Sequence, residues 1–319
     1  MTGGASLRRF FRAQAGTKSA VGMYYPDPWG SEEAATNNRL RGEWPFLEIQ
    51  RLLRNSGVRV PDVLAQDTSR GWLLLEDLSD QTLALYLKRH PERRTEVYRQ
   101  AVIDIARAQI AVEQTLAGSV IAERRFDETL LHWEMDHFRE WALEARGIHL
   151  SNDQAQRFEK TARTIAARIV RMEYGFVHRD YQSRNLMVSL NAKGHEQLTW
   201  IDFQDALLGP RVYDLVALLN DSYQEFTREF VEARLDDYAQ ACQTKHSRQT
   251  LIESFDMVTV QRKLKDAGRF VFIKQKKGDD SYLPFIEPTI AKIRSSLVRL
   301  NKYAEFAELR SLLDEVLPP

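Results

Sequence analysis

A cluster of polar residues interrupts an apolar stretch of the chain between Phe176 and Val188. Within this segment, FVHRDYQSRNLMV, a histidine, two arginines, an aspartate and an asparagine stand between apolar residues that are typical of strands. The runs NLMVSL and LTWIDF that follow flank the turn sequence NAKG and predict a β-hairpin. A hairpin returns its two ends to one place, so Asn185 at its entry and Asp202 at its exit are expected to converge, with Asp180 just upstream.

The residue types of this cluster match the needs of phosphoryl transfer. Carboxylate and amide oxygens, as on Asp202 and Asn185, are hard ligands that Mg²⁺ prefers when phosphates and water complete its octahedron. A further carboxylate, Asp180, aligns the attacking hydroxyl and takes its proton. Asp and Asn are each common in turns, but their combined spacing before a hairpin favours a catalytic site. His178, which follows two apolar residues, is instead interpreted as a core histidine that fixes the loop.

Composition excludes several classes of protein. Lys plus Arg and Asp plus Glu both number 45 in 319 residues, so no net charge draws the chain to nucleic acid or to anionic lipid. The single cysteine, Cys242, excludes an internal disulfide and a multi-cysteine zinc site, and it fits a reducing compartment. The sequence shows no signal-peptide core and no run of about 18 apolar residues. We therefore expect a soluble, cytoplasmic protein with no nucleic-acid or membrane partner, and we take it to be a monomer.

The hydrophobic pattern divides the chain near residue 79. Before this point it predicts short strands and one helix, and after it the pattern changes to amphipathic helices around the β-hairpin. The predicted strands are Leu7–Gln14, Lys18–Tyr25, Val58–Gln66 and Trp72–Leu78, and the helix between them is Arg39–Arg54. The helices predicted next are Thr82–Arg89, Tyr98–Leu116, Asp127–Arg146 and Asn152–Met172. The sequence thus indicates an α+β fold with a β-rich N-lobe at 1–79 and a larger, mainly helical C-lobe at 80–319.

The motifs around the hairpin carry a resemblance to a known superfamily. HRDYQSRNLM followed by DFQDALLGPRVYDL resembles the catalytic loop and metal-binding aspartate of the protein-kinase-like aminoglycoside phosphotransferase and choline kinase superfamily. The segments SLRRFFR, LLLEDL, DFQDALLGP and QRKLKDAGRF make the chain most similar to the bacterial N-acetylmuramate/N-acetylglucosamine anomeric sugar kinases of cell-wall recycling. The resemblance implies a two-lobed kinase-like fold and transfer of the γ-phosphate of ATP, with Mg²⁺, to a sugar hydroxyl.

The same resemblance implies roles for individual residues. Asp180 is expected to be the catalytic base, and Asn185 and Asp202 the magnesium ligands beside the nucleotide. Asp214 resembles the family aspartate that braces the catalytic loop. Arg179 either forms a salt bridge within the loop or faces a phosphate.

The nucleotide is expected to contact the first lobe. The run LLLEDL, with Glu76 and Leu78, lies where the segment between the lobes of such kinases binds adenine through its backbone. Ser6, in the small-residue turn GGAS, and Arg9 just after it are candidates for contact with the phosphates, since small residues let backbone N–H groups approach phosphate oxygens.

One position departs from the kinase pattern. The second strand of the lobe normally offers a lysine to the α- and β-phosphates, whereas this chain has Met23 there. Either one of four residues in the first two strands supplies the missing cation (Lys18, Arg8, Arg9 or Arg12), or the phosphate site is weak. Glu43 and Glu48, on the predicted helix of this lobe, are candidates for the usual ion-pair partner, although solvated helix charges are the commoner case.

The segment Val260–Lys277, VQRKLKDAGRFVFIKQKK, carries seven cations against Asp266 alone. A polycationic aminoglycoside or choline requires an acidic or aromatic site, whereas the carboxylate of N-acetylmuramate would find Arg262 or Lys265 a natural partner. A solvated basic helix face is the alternative interpretation. The candidate substrate-binding residues are therefore Arg179, Asp205, Arg262 and Lys265.

Two other functions stay open from the sequence. An acidic acceptor pocket would favour an aminoglycoside or choline-type phosphotransferase. A non-catalytic pseudokinase scaffold would be consistent with Met23 and with the short segment before the first strand. Magnesium-dependent ATP binding separates such a scaffold from the kinases.

Overall fold

The structure, a computed structural model, describes residues 8–26, 43–243 and 245–318. The strands are β1 Arg9–Ala15, β2 Lys18–Tyr24, β3 Val63–Asp67, β4 Trp72–Glu76, β5 Tyr174–Val177, β6 Leu186–Leu190, β7 Glu196–Trp200 and β8 Leu207–Pro210. The helices are α1 Pro45–Asn55, α2 Leu83–Arg89, α3 Arg94–Glu113, α4 Val120–Glu123, α5 Glu128–His137, α6 Asn152–Ile169, α7 Tyr213–Leu219, α8 Arg228–Cys242, α9 Arg248–Lys277, α10 Ile286–Arg299 and α11 Ala304–Val316. Contacts divide these elements into two compact units: the residues up to Arg124 with His178–Leu207, and Arg125–Val177 with the residues from Leu208 onward.

The first unit contains a four-stranded antiparallel sheet in the order β1-β2-β4-β3. Its buried face is apolar because side chains alternate along each strand, and Val21 and Met23 on β2 lie against Leu73 and Leu75 on β4. Met23 is 0% exposed. The residue that stands where kinases carry a lysine is therefore a core residue of the sheet.

Two proline residues move the predicted element boundaries. Of the helix predicted at Arg39–Arg54, the first four residues lie outside the described residues, and α1 begins at Pro45, because Trp44 before it has ψ 132° and proline is favoured in the first turn of a helix. The strand predicted at Val58–Gln66 begins only at Val63, after Pro61, since proline cannot donate to the ladder. The lobe boundary predicted between residues 79 and 80 stays a prediction, although β4 ends at Glu76 and α2 begins at Leu83.

The second unit is built around the 30-residue helix α9, against which α5, α7, α8 and α10 pack. The single helix predicted at Asp127–Arg146 is wrong in one respect: α5 ends at His137 and continues as a π-helix over Phe138–Leu143 and a 3₁₀ turn. Gly268 of α9 lies so close to this region that an added Cβ would stand 2.2 Å from the His137 carbonyl oxygen. The widened turn thus coincides with the point where the two helices approach most tightly.

A short two-stranded pair, β5 with β8, completes the second unit and was not predicted in full. Phe176 and Val177 indicate a buried strand end, but the four residues LLGP of β8 contain glycine and proline, which disfavour strands. Among the helices of the described residues, none is both long enough and apolar enough to span a membrane.

Candidate functional site

The hairpin β6–β7 brings Asn185 and Asp202 together as its pairing requires. Leu186 lies opposite Trp200, and the next backbone bond outward runs from Ile201 N–H to Asn185 O at 3.0 Å. The Asn185 amide nitrogen lies 3.5 Å from Asp202 Oδ2 and donates to the Asp180 carbonyl oxygen at 2.9 Å. The three polar residues that the sequence singled out therefore meet at the open end of one hairpin.

Neighbouring elements of the first unit hold this hairpin and loop in place. At the start of α2, Ala84 N–H donates to Ser183 O at 3.0 Å, and Val188 N–H donates to Gln81 O at 2.8 Å. On the other strand, Trp200 N–H donates to Arg59 O at 2.9 Å. One of these backbone hydrogen bonds thus holds the loop that carries Asp180, and the other two hold the two strands of the hairpin.

An aromatic cluster lies beneath the loop. The His178 ring packs edge-on against Tyr181 and Trp200 with centroids 5.7 Å away in each case, and Tyr181 OH donates to Ala101 O of α3 at 3.0 Å. All three side chains are at most 2% exposed. This burial agrees with the interpretation of His178 as a core residue that fixes the loop.

The backbone at the site is strained at two residues that carry charge. Arg179 has φ 81° and Asp202 has φ 66°, in the left-handed region that side chains other than glycine rarely adopt. Such conformations cost of order 1–3 kcal/mol each and persist where the surrounding contacts enforce them, often at functional sites. Among the described residues only Ser79 and Gln243 share this property without being glycine.

A residue of the first strand region reaches the site. Arg8, directly before β1, donates to Asp202 Oδ1 at 2.6 Å and to Gln204 Oε1 at 2.7 Å, and its guanidinium lies 5.7 Å from the Tyr25 ring centroid. Burial alone lowers the pKa of this guanidinium, but the charge of Asp202 and its hydrogen bond outweigh burial and raise that pKa. The sequence named Arg8 only as one of four candidate cations, because its position depends on strand pairing.

Gln204 links the two aspartates of the DFQD motif, a role that sequence reasoning missed. Its amide nitrogen donates to Asp202 Oδ1 at 3.1 Å and to Asp205 Oδ2 at 2.7 Å. Burial raises the pKa of the Asp205 carboxyl, and the positive charge of Arg179 opposes that shift. Arg179 is buried near this carboxyl, and both alternatives for it, a salt bridge within the loop or contact with a phosphate, stay predictions.

The predicted nucleotide residues have different environments. Ser6 lies outside the described residues, Arg9 is exposed at the start of β1, and Leu78 is half-buried after β4. The Glu76 carboxylate pairs with Arg59 and accepts from Asp62 N–H at 3.1 Å. Burial by itself raises the pKa of Glu76, but these hydrogen bonds lower it overall.

The other candidate cations and acids of the first unit are engaged elsewhere. Arg12 binds Asp77 at 2.8 Å and Asp80 at 2.9 Å. Glu43 pairs with Arg51 at 2.7 Å, and Glu48 accepts from Val120 N–H at 2.7 Å near the start of α4. Lys18 is exposed at the end of the β1–β2 hairpin.

The cations of the basic segment belong to the second unit and differ in exposure: Arg262 and Lys263 are buried, whereas Lys274, Lys276 and Lys277 are exposed. Arg262 is 3% exposed, with its guanidinium 4.8 Å from the Tyr213 ring centroid. Lys265 lies 3.3 Å from Glu134 Oε1 and 3.4 Å from the Tyr213 hydroxyl. Lys263 pairs with Asp266, Lys274 with Asp280, and Lys276 stacks on Trp141. Asp214, the expected brace, is fully buried on α7 of the same unit.

Comparison with known proteins identifies the family. Residues 1–250 match the Phosphotransferase enzyme family. The chain is 32% identical over 317 residues to the N-acetylmuramate/N-acetylglucosamine kinase of Pseudomonas aeruginosa, covering 98% of this chain and 87% of the relative. It is 31% identical over 320 residues to the protein of that name from Neisseria meningitidis serogroup B, with 98% and 88% covered.

Solved structures give the same answer for the fold. A choline kinase from Streptococcus pneumoniae superposes with a TM-score of 0.57 at 13% identity, covering 92% of each chain. The predicted α+β kinase-like fold, with a small β-rich N-terminal region and a larger helical part, is thereby confirmed. The chain belongs to the phosphotransferase enzyme family and is a phosphotransferase that acts on a hydroxyl group.

Proposed function

We propose that the chain is a magnesium-dependent kinase that transfers the γ-phosphate of ATP to the anomeric hydroxyl of N-acetylmuramate and N-acetylglucosamine. The observation that carries the proposal is the meeting of Asp180, Asn185 and Asp202 at the end of the β6–β7 hairpin. A carboxylate for the acceptor hydroxyl and two oxygen ligands for a metal are the groups that phosphoryl transfer requires from a protein.

The donor set fits a magnesium nucleotide. The Asp202 carboxylate and the Asn185 amide both offer hard oxygen ligands. The Asn185 amide nitrogen donates a hydrogen bond to Asp180 O, and the other end of the amide, Oδ1, is the atom that can bind a metal. When bound, the magnesium nucleotide supplies the phosphoryl group and neutralises the charge that develops on it. Asn185 and Asp202 would hold the metal, and Glu76 and Leu78 are the proposed backbone contacts of the adenine.

Asp180 is the proposed base. It is half-exposed, so that a substrate hydroxyl can reach it, and its loop is fixed by the α2 and aromatic contacts. In the reaction Asp180 would take the proton of the acceptor hydroxyl as that oxygen forms its bond to the γ-phosphorus, while the bond from this phosphorus to the bridging oxygen breaks and ADP leaves. Fixing the base and the acceptor in one geometry removes much of the entropic part of the barrier.

The acceptor is inferred from the relatives together with the cations of α9. Curated relatives that match nearly the whole chain at 32% and 31% identity carry the name of the amino-sugar kinase. Arg262 and Lys265, both on α9, are the proposed partners of the carboxylate that distinguishes N-acetylmuramate from N-acetylglucosamine. Arg179 and Asp205 stay proposed acceptor-binding residues, and a role in cell-wall recycling in the cytoplasm by a monomer is proposed with them.

A turnover screen tests the proposal. The purified chain with ATP and Mg²⁺ is offered N-acetylmuramate, N-acetylglucosamine, choline and an aminoglycoside, and ³¹P NMR identifies the phosphorylated product. We expect phosphate on the anomeric oxygen of both amino sugars and none on choline. A higher kcat/KM for choline or the aminoglycoside would contradict the acceptor. Absence of magnesium-dependent ATP binding would indicate a pseudokinase scaffold.

A further inference from the structure

Arg8 occupies an unusual place beside the aspartate proposed to hold the metal. Its guanidinium is bound to Asp202 Oδ1 and Gln204 Oε1, and its side chain is only 10% exposed. Gln204 in turn donates to the same Asp202 oxygen at 3.1 Å. One carboxylate oxygen of Asp202 is therefore engaged by a cation of the chain itself, while Oδ2 faces the Asn185 amide.

The position of Arg8 also answers the question raised by Met23. The sheet buries Met23 completely, so β2 offers no cation to a phosphate from that position. Of the four candidate cations in this part of the chain, Arg12 is bound by Asp77 and Asp80, and Lys18 and Arg9 are exposed on the β1–β2 hairpin. Arg8 is the candidate that the structure brings to Asp202.

We propose that Arg8 replaces the strand lysine as the cation for the nucleotide phosphates, and that it exchanges between Asp202 in the free protein and those phosphates in the complex. This inference rests on the proposed function, since it concerns the same nucleotide. A guanidinium suits the exchange because its planar fork binds a carboxylate and a phosphate with the same geometry. The Tyr25 ring lies against the guanidinium, and this cation–π contact would support Arg8 whether it binds Asp202 or the phosphates.

The proposed exchange of Arg8 predicts an effect on metal binding that would not be expected for the lysine that kinases usually carry on this strand. In the free protein Arg8 already neutralises Asp202, so a divalent cation arriving alone meets a positive charge a few ångströms from its ligand and binds weakly. With the phosphates present, Arg8 has a second anion to bind, and Asp202 becomes available. Loss of Arg8 should therefore weaken nucleotide binding and strengthen the binding of metal alone.

Two titrations of Arg8→Met test the exchange without any acceptor or turnover. The first measures ADP affinity in saturating Mg²⁺ by calorimetry, and the second measures free Mn²⁺ by electron paramagnetic resonance in the absence of nucleotide. We expect ADP to bind about 10- to 100-fold more weakly, as for loss of a charge-assisted hydrogen bond. We expect Mn²⁺ alone to bind about fivefold more tightly.

Matched variants separate this effect from general damage. Arg54→Met removes an arginine that pairs with Asp62 at 2.8 Å in the same unit and should change neither titration. Arg8→Lys keeps the charge without the fork and should fall between Arg8→Met and the wild type. Thermal melting of each variant reports on folding, and a crystal structure of the wild type with ADP and Mg²⁺ should place the Arg8 guanidinium on a phosphate oxygen.

The results distinguish a failure of the proposed kinase function from a failure of the proposed role of Arg8. A wild-type chain that binds no nucleotide contradicts the proposed function. A wild type that binds ADP, with Arg8→Met equal to Arg54→Met in ADP affinity, leaves the kinase intact and overturns the role of Arg8. Unchanged or weaker Mn²⁺ binding by Arg8→Met, or a nucleotide complex in which Arg8 still binds Asp202, overturns the exchange.

Discussion

Two charged regions of this protein use their charges in opposite ways. In the loop and hairpin at 178–205, Asp180 and Asp202 are half-exposed, and Asp202 is held at a positive φ. In the basic segment of α9 the backbone is a regular helix, and cations such as Lys263 are buried against carboxylates. In the first region Asp180 and Asp202 stay accessible, whereas in the second region Lys263 is paired inside the fold.

This contrast suggests how to distinguish acting charges, which take part in binding or chemistry, from supporting charges, which stabilise the fold. A supporting charge is buried with its partner, so its loss destabilises the protein because the partner is left uncompensated. An acting charge is accessible and its loss removes chemistry with little effect on folding. The expected effects below run from the largest to the smallest.

Asp180→Asn should lower kcat by about 10²–10⁴-fold, because the amide cannot take the proton of the acceptor hydroxyl. The melting temperature should stay near that of the wild type, since the side chain is half-exposed and asparagine has nearly the same size and shape as aspartate. Steady-state turnover with ATP and N-acetylmuramate measures the change. Activity within tenfold of the wild type would remove Asp180 from the role of base.

Lys263→Met should destabilise the protein by about 3–5 kcal/mol, because it leaves the buried Asp266 without its partner at 2.8 Å. Burial lowers the pKa of Lys263, so the ammonium depends on Asp266 in turn. The double variant Lys263→Met with Asp266→Leu should recover most of that loss. Urea unfolding measures both, and a single variant within about 1 kcal/mol of the wild type would contradict the supporting role.

Lys265→Met should reduce kcat/KM for N-acetylmuramate about tenfold more than for N-acetylglucosamine, because only the former sugar carries a carboxylate. Lys274→Met is the control, since Lys274 lies on the same helix but pairs with the exposed Asp280. Parallel kinetics with the two sugars give the ratio. An equal loss for both sugars would indicate that Lys265 stabilises the fold through its ion pair with Glu134 and does not bind the sugar carboxylate.

Glu196→Gln should have the smallest effect and should depend on pH. Hydrogen bonds from Arg93 and Tyr86 lower the pKa of Glu196 to about 2, from 4.5 in an unfolded chain. The pairing therefore stabilises the fold above pH 4.5, and its contribution of about 1 kcal/mol is lost as the pH falls toward 2. Melting curves across this range should show the difference from the wild type shrinking, with kcat at neutral pH unchanged. A difference that is constant with pH would contradict the ion pair.

The hairpin of the candidate site could be predicted because its information is local. A turn sequence between two apolar runs fixes which residues stand at the open end, so the approach of Asn185 to Asp202 follows from short-range pairing. The position of His178 in the core also follows from its apolar neighbours.

The rest depends on contacts between distant segments. The ion pair of Arg8 with Asp202 joins residues 194 positions apart, and the burial of Lys263 depends on how α9 packs. The π-helix after α5 begins where Gly268, a residue distant in the sequence, packs so closely that a side chain there would collide with His137 O. The composition of a segment thus gave its charges but not whether those charges were solvated.

The central claim is that Asp202 holds the metal of the nucleotide in the site that Asp180 serves as base. The gain in ADP affinity on adding Mg²⁺, measured by calorimetry for Asp202→Asn beside Asp180→Asn, tests it most directly. Asparagine tolerates the positive φ of residue 202, so the substitution changes charge with little backbone strain. The account predicts that Asp180→Asn keeps the wild-type gain and that Asp202→Asn loses it. An undiminished gain in Asp202→Asn would contradict it.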